Sequence, residues 1–92
     1  MKILVVYDVS EEYENVRRRL RETLKDYGGI FLEYSVYMVE LDKQGLHALI
    51  RDIRRVIRRA DARVDILIPC RECLRKLLTF NLTLEKEEEP VI

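Results

Sequence analysis

The chain has 92 residues, 37% charged and 48% hydrophobic, with 17 basic residues balanced by 17 acidic ones. That length bounds it to one small domain, which buries about two-thirds of its unfolded surface at best and would gain from a partner subunit. No apolar run is long enough to span a bilayer, no signal peptide opens the chain and two cysteines do not make a disulfide framework, so a soluble, cytoplasmic protein with no membrane partner is expected.

Met1–Ser10 is the stretch on which the rest is organised. Ile3, Leu4, Val5 and Val6 are apolar and mostly β-branched, which predicts a strand covered on both faces in the middle of a sheet. Tyr7 and Asp8 follow, and the strand delivers the Asp8 carboxylate to the sheet's end, where it either caps a turn or holds a metal. Ser10 is placed to N-cap a helix, with Glu11, Glu12 and Glu14 in the first turn, where the helix dipole favours acids. Tyr13, Val16, Leu20, Leu24 and Tyr27 recur at helical spacing, and Gly28-Gly29 ends the helix. Arg17, Arg18, Arg19, Arg21 and Lys25 take much of its remaining circumference.

Ile30 to Leu41 is β-branched and aromatic, interrupted by Glu33, Ser35 and Glu40, and is expected to be one long strand or two short ones kinked near Tyr34-Ser35. Asp42 is the expected N-cap of a second helix, whose Leu46, Leu49, Ile50, Ile53, Val56, Ile57 and Ala60 follow the amphipathic template. Its opposite face carries Arg51, Arg54, Arg55, Arg58 and Arg59. A further strand spans residues 62–68 and stops at Pro69; a short helical turn lies within residues 70–78, and Phe80 to Leu84 alternates as a final strand. Residues 85–92 form an acidic tail, Glu85, Glu87, Glu88 and Glu89 against Lys86, which leaves the body mildly basic and compatible with nucleic-acid binding.

The order β-α-β(β)-α-β with an added C-terminal strand predicts an α+β, ferredoxin-like βαββαβ domain over residues 1–84, with both helices on one face of an antiparallel sheet. The other face carries apolar strand residues as well, which a second copy would cover, so a homodimer is expected.

Chemistry is sparse. Asp8 alone is a partial metal ligand, since magnesium takes six ligands and usually keeps waters beside one or two carboxylates; no second carboxylate of matching position is evident within one chain. A twofold axis near the strand ends would pair two copies of Asp8, and such a pair would hold Mg2+ or another divalent cation able to activate water and clamp a phosphodiester. Arg17 and Arg19, early in the helix after Asp8, are candidates for phosphate contact, which arginine makes bidentately. Tyr7, Tyr34 and Tyr37 lie on strands, and core packing is expected for at least two of them. Cys70 and Cys73 form a single CxxC, the lone His47 sits within the second helix, and the reduced thiol is the expected state of both cysteines.

Three segments in order resemble one family. Val5-Val6-Tyr7-Asp8-Val9-Ser10 is similar to its opening strand, Glu33-Tyr34-Ser35-Val36-Tyr37 with Glu40-Leu41 to its Gln-Tyr-Ser-Val-Phe motif and following Glu-Leu, and Ile66-Leu67-Ile68-Pro69-Cys70 to its last core strand. This is the CRISPR-associated protein 2 family, the small partner of the CRISPR integrase, and the resemblance covers residues 2–84. It implies a homodimer in which Phe80 to Leu84 adds to the partner subunit's sheet, with Asp8 of each subunit meeting at the interface as metal ligand and catalytic residue for Mg2+. It further implies a role in spacer acquisition, bridging integrase dimers and supporting double-stranded DNA, and metal-dependent endonuclease activity on DNA or single-stranded RNA in some members. Carried over by position, Tyr7, Arg17, Arg19, Ser35 and Tyr37 are the expected nucleic-acid contacts, with Tyr37 replacing the usual Phe. Glu33 stands where Gln is common, and Phe31 near where many members carry Arg. Two rival readings are a non-catalytic assembly module, docking through the acidic tail, and an unrelated ferredoxin-like regulatory domain.

Overall fold

The computed structural model describes residues 1–78 and Phe80. Strand β1 (Lys2–Val9) leads through a 3-10 turn into helix α1 (Glu14–Asp26); β2 (Ile30–Glu33), β3 (Val36–Glu40), helix α2 (Lys43–Ile57), β4 (Ala62–Leu67) and the short helix α3 (Arg71–Arg75) follow. The sheet order is β2-β3-β1-β4, and each neighbouring pair is antiparallel. This is the ferredoxin-like βαββαβ arrangement expected from the sequence. The expected fifth strand and acidic tail lie outside the described residues, Phe80 apart.

Central position of β1 follows from its composition, but its coverage does not. Ile3, Val5, Tyr7 and Val9 are buried, whereas Val6 and Asp8 are exposed and Leu4 is half-buried. Successive side chains of a strand point to opposite faces, and both helices pack on the face that takes the odd residues. A strand covered on both sides is thus corrected to one covered on a single side within one chain. The core joins those four residues to Tyr37 and Val39 of β3, Leu20 and Leu24 of α1, and Leu46, Leu49, Ile53 and Val56 of α2. Each fully buried leucine of that set contributes about 1.5–3 kcal/mol through the apolar surface it removes from water.

Ser10 does not cap α1. The Tyr13 amide donates to the Ser10 carbonyl at 2.9 Å, winding residues 11–13 into a 3-10 turn, and the Ser10 side chain makes no capping bond. The far end of α1 behaves as its glycines require. Gly28 takes φ +79°, its amide donates to Lys25 O and that of Gly29 to Leu24 O, which together close a Schellman motif. A Cβ on Gly29 would lie 2.6 Å from the Leu24 carbonyl oxygen, so that position also needs glycine. Asp42 caps α2 as expected, its Oδ1 accepting from the Gly45 amide at 2.7 Å.

The break in residues 30–41 falls at Tyr34-Ser35, where a two-residue turn joins β2 to β3. Ser35 holds φ +69°, a left-handed conformation that costs a residue with a Cβ roughly 1–2 kcal/mol. Its carbonyl accepts from the Tyr7 amide at 3.0 Å, which ties the turn to β1. Ser35→Gly is therefore expected to stabilise the fold by about 0.5–1 kcal/mol, part of the strain relief being lost to the freer unfolded chain. A urea midpoint equal to or below that of the parent chain would contradict this.

Candidate functional site

Asp8 stands on the face of the sheet turned away from the helices, next to last in β1. Its cross-strand neighbour is Arg63 of β4, but that guanidinium is engaged by Asp65, with Nε 2.9 Å from Asp65 Oδ2. The bond and charge of Asp65, with a smaller contribution from Asp8, raise the Arg63 pKa above its ordinary value. The Asp8 side chain makes no hydrogen bond or ion pair among the described residues, and it is exposed. It does not cap a turn.

The side chain borders a depression of about 180 Å3, lined by Asp8, Ser10, Asp61, Ala62 and Arg63. The Ser10 amide donates to the Asp61 carbonyl at 3.0 Å, which holds the end of β1 against the start of β4. A second acidic residue, Asp61, borders the same depression as Asp8. Asp8, Asp61 and the Ser10 hydroxyl are all oxygen donors, the type magnesium prefers, and the depression is open enough for the waters such an ion keeps. No group of three or more His, Cys, Asp or Glu comes together among the described residues. The donor chemistry fits a divalent cation held through two carboxylates and water, and Arg63 adds a cation at the rim suited to a phosphate oxygen.

The remaining expected contacts separate into several positions. Tyr7 and Tyr37 are 4% and 2% exposed and stack with ring centroids 6.4 Å apart, on the helix-facing side and not the Asp8 side. Burial first, and the Tyr37 phenol second, raise the pKa of Tyr7. Their rings belong to the core, as the sequence pattern suggested. Arg17 is drawn inward: one guanidinium nitrogen donates to the Val9 carbonyl at 2.6 Å, and another pairs with Glu14. It therefore fastens α1 to the residue that follows Asp8. Arg19 lies exposed on α1, in the helical layer, and Ser35 is half-buried in the β2–β3 turn. Of the residues expected to bind metal or nucleic acid, Asp8 alone borders the depression.

Asp61 and Arg63 were missed. Their signal was the register of β4: a strand beginning at residue 62 and antiparallel to β1 puts its first residues beside the last residues of β1. At the opposite end, Cys70 and Cys73 are exposed free thiols. The Cys73 amide donates to Cys70 Sγ at 3.4 Å and caps α3, and that bond lowers the Cys70 pKa. His47 is exposed on α2.

Comparison with known proteins follows the same lines. The family model described as CRISPR associated protein Cas2 matches residues 1–77. A protein of Desulforudis audaxviator, named CRISPR-associated endoribonuclease Cas2, is 33% identical over 89 residues, 97% of this chain and 82% of its own length. A Methanopyrus kandleri protein of the same name is 43% identical over 81 residues, 78% of this chain and 73% of its own. The crystal structure of Streptococcus pyogenes Cas2 at pH 6.5 superimposes with a TM-score of 0.71 at 22% identity, covering 87% of this chain and 99% of that one, and this likeness concerns the fold.

Proposed function

The chain belongs to the CRISPR associated protein Cas2 family, and on that premise we propose that it is a metal-dependent endoribonuclease acting as a homodimer in CRISPR adaptation. The observation that carries the proposal is Asp8: an exposed carboxylate at the end of the central strand, without a structural partner among the described residues, beside a second carboxylate. The names of the Desulforudis and Methanopyrus relatives support cleavage of RNA.

Asp8 and Asp61 would hold the cation, which when bound lowers the pKa of a coordinated water and neutralises charge on a phosphodiester. Arg63, held charged by Asp65, would orient a phosphate oxygen at the rim. Arg17 positions the strand end through the Val9 carbonyl. The apolar side chains on the face turned away from the helices, Leu4, Val6, Val36, Met38 and Leu67, of which Leu4 and Val36 are bordered by Leu77, Leu78 and Phe80, support a homodimer built on that face. A twofold axis along the ends of the two β1 strands would then bring both copies of Asp8 to one site. On the family reading the dimer also supports duplex DNA between integrase subunits.

The test is cleavage of end-labelled single-stranded RNA and of duplex DNA, each with Mg2+ and with a chelator. RNA shortened in Mg2+ and left at full length in the chelator is the expected outcome. Intact RNA and DNA under every divalent cation would remove the enzyme and leave the non-catalytic scaffold. No helix among the described residues is long and apolar enough to cross a membrane.

A further inference from the structure

We propose that Cys70 and Cys73 form a reversible thiol–disulfide exchange site, which a low-molecular-weight disulfide oxidises to an intrachain disulfide. The two residues stand at the N-cap and the third position of α3, and both are exposed. Their Cα atoms are one helical turn apart, roughly 5 Å on helix geometry and within the ~4.4–6.8 Å that a disulfide spans, so the ring can close without unwinding the turn. The backbone there is already held. The Leu74 amide donates to the Cys70 carbonyl at 3.0 Å, and the Lys76 amide to the Cys73 carbonyl at 3.1 Å. Because Leu67 of β4 pairs with Leu4 while Arg63 pairs with Asp8, the cysteines follow the end of β4 away from the Asp8 depression.

Neither capping nor packing accounts for sulfur at these positions. The Cys73 amide does donate to Cys70 Sγ at 3.4 Å, but a thiol is a weak acceptor and a serine would cap the turn more strongly. Cys73 is exposed, whereas a cysteine that serves as a small hydrophobe is buried and inert. A structural zinc site takes four ligands, and no third His, Cys, Asp or Glu joins the pair among the described residues. The arrangement does supply an attacking sulfur and a resolving one. The bond from the Cys73 amide first, and one from the Cys73 thiol second, hold the Cys70 thiol below its ordinary pKa. That raises the fraction present as thiolate, the form that attacks. Cys70 Sγ attacks one sulfur of the small disulfide, an S–S bond forms between them, and the first small thiolate leaves. Cys73 then releases its proton to water, its sulfur attacks Cys70 Sγ, and the second small thiolate leaves. Two protein thiols are oxidised and one small disulfide is reduced, and the two protons the cysteines release end on the two small thiols.

The experiment treats the full reduced chain with oxidised glutathione near neutral pH, quenches with acid, alkylates the remaining thiols and reads the products by mass spectrometry. The parent should lose two hydrogens and both alkylation sites, with no glutathione retained, and dithiothreitol should restore both thiols. Cys73→Ser should stop at a glutathione mixed disulfide on Cys70, for want of a resolving sulfur. Cys70→Ser should react at least ~10-fold more slowly, because its remaining thiol lacks the donors that favour the thiolate. Both variants should unfold at the parent's thermal midpoint, since both side chains are exposed and serine at position 70 still caps α3. A parent that stalls as the mixed disulfide, that links mainly to a second chain, or that reacts no faster than Cys70→Ser would overturn the proposal. So would stoichiometric zinc on the purified chain, released when the thiols are alkylated, which would make the pair a metal site. A lower thermal midpoint in either variant would assign the sulfurs to the fold and overturn it as well. None of these readouts depends on cleavage at Asp8.

Discussion

Asp8→Ala is expected to lower metal-dependent cleavage by at least ~100-fold while leaving the fold and the dimer intact. Loss of residues that merely orient metal ligands already costs about 10–100-fold, so loss of a ligand carboxylate should cost no less. The fold is spared because Asp8 is exposed and makes no hydrogen bond or ion pair among the described residues, so nothing buried loses a partner. Arg63 keeps Asp65. Asp61→Ala should weaken metal binding less, since Asp8 remains. Titration with Mn2+ followed by its electron paramagnetic resonance signal reads occupancy separately from turnover. Full cleavage by a clean Asp8→Ala preparation would refute the assignment, and so would unaltered Mn2+ binding.

Val6→Glu should dissociate the homodimer, with affinity between subunits falling ~100-fold or more, and should remove cleavage with it. Val6 is 42% exposed in the single chain and lies between Leu4 and Asp8 on the uncovered face. In the proposed homodimer a twofold axis near the strand ends would bring its two copies close, and like charges juxtaposed across an interface cost several kcal/mol. Each 1.4 kcal/mol is tenfold in affinity. Sedimentation velocity checks the prediction directly. A dimer of unchanged strength would move the interface elsewhere, and a Val6→Glu monomer that still cleaved RNA would show that Asp8 and Asp61 of one chain suffice.

Most of the architecture followed from residue patterns, and the departures have physical causes. Helix α2 and its Asp42 cap, the Gly28-Gly29 stop and the interruption at Tyr34-Ser35 were expected where they occur, because each depends on neighbours close in sequence. The coverage of β1 was not, because an apolar run does not say which of its two faces the helices take and which a second chain would take. Ser10 looked like a helix cap, yet the local backbone closed a tighter turn first. Asp8 stood out as a candidate from its place at a strand end, whereas the nearness of Asp61 and Arg63 required the pairing of β4 with β1, a long-range fact. Arg17 was assigned by its charge to a ligand, and the structure spends that charge on the Val9 carbonyl and Glu14.

The alternation along β1 also constrains how this gene can change. Odd positions from Ile3 to Val9 belong to the core and even positions from Leu4 to Asp8 to the face turned away from the helices. Substitutions at the two sets are nearly independent, so core and site can drift separately. A deletion or insertion of one codon within the strand has no such freedom, because it exchanges the two sets at a stroke. A change in length is therefore expected to be tolerated only in the segments outside β1.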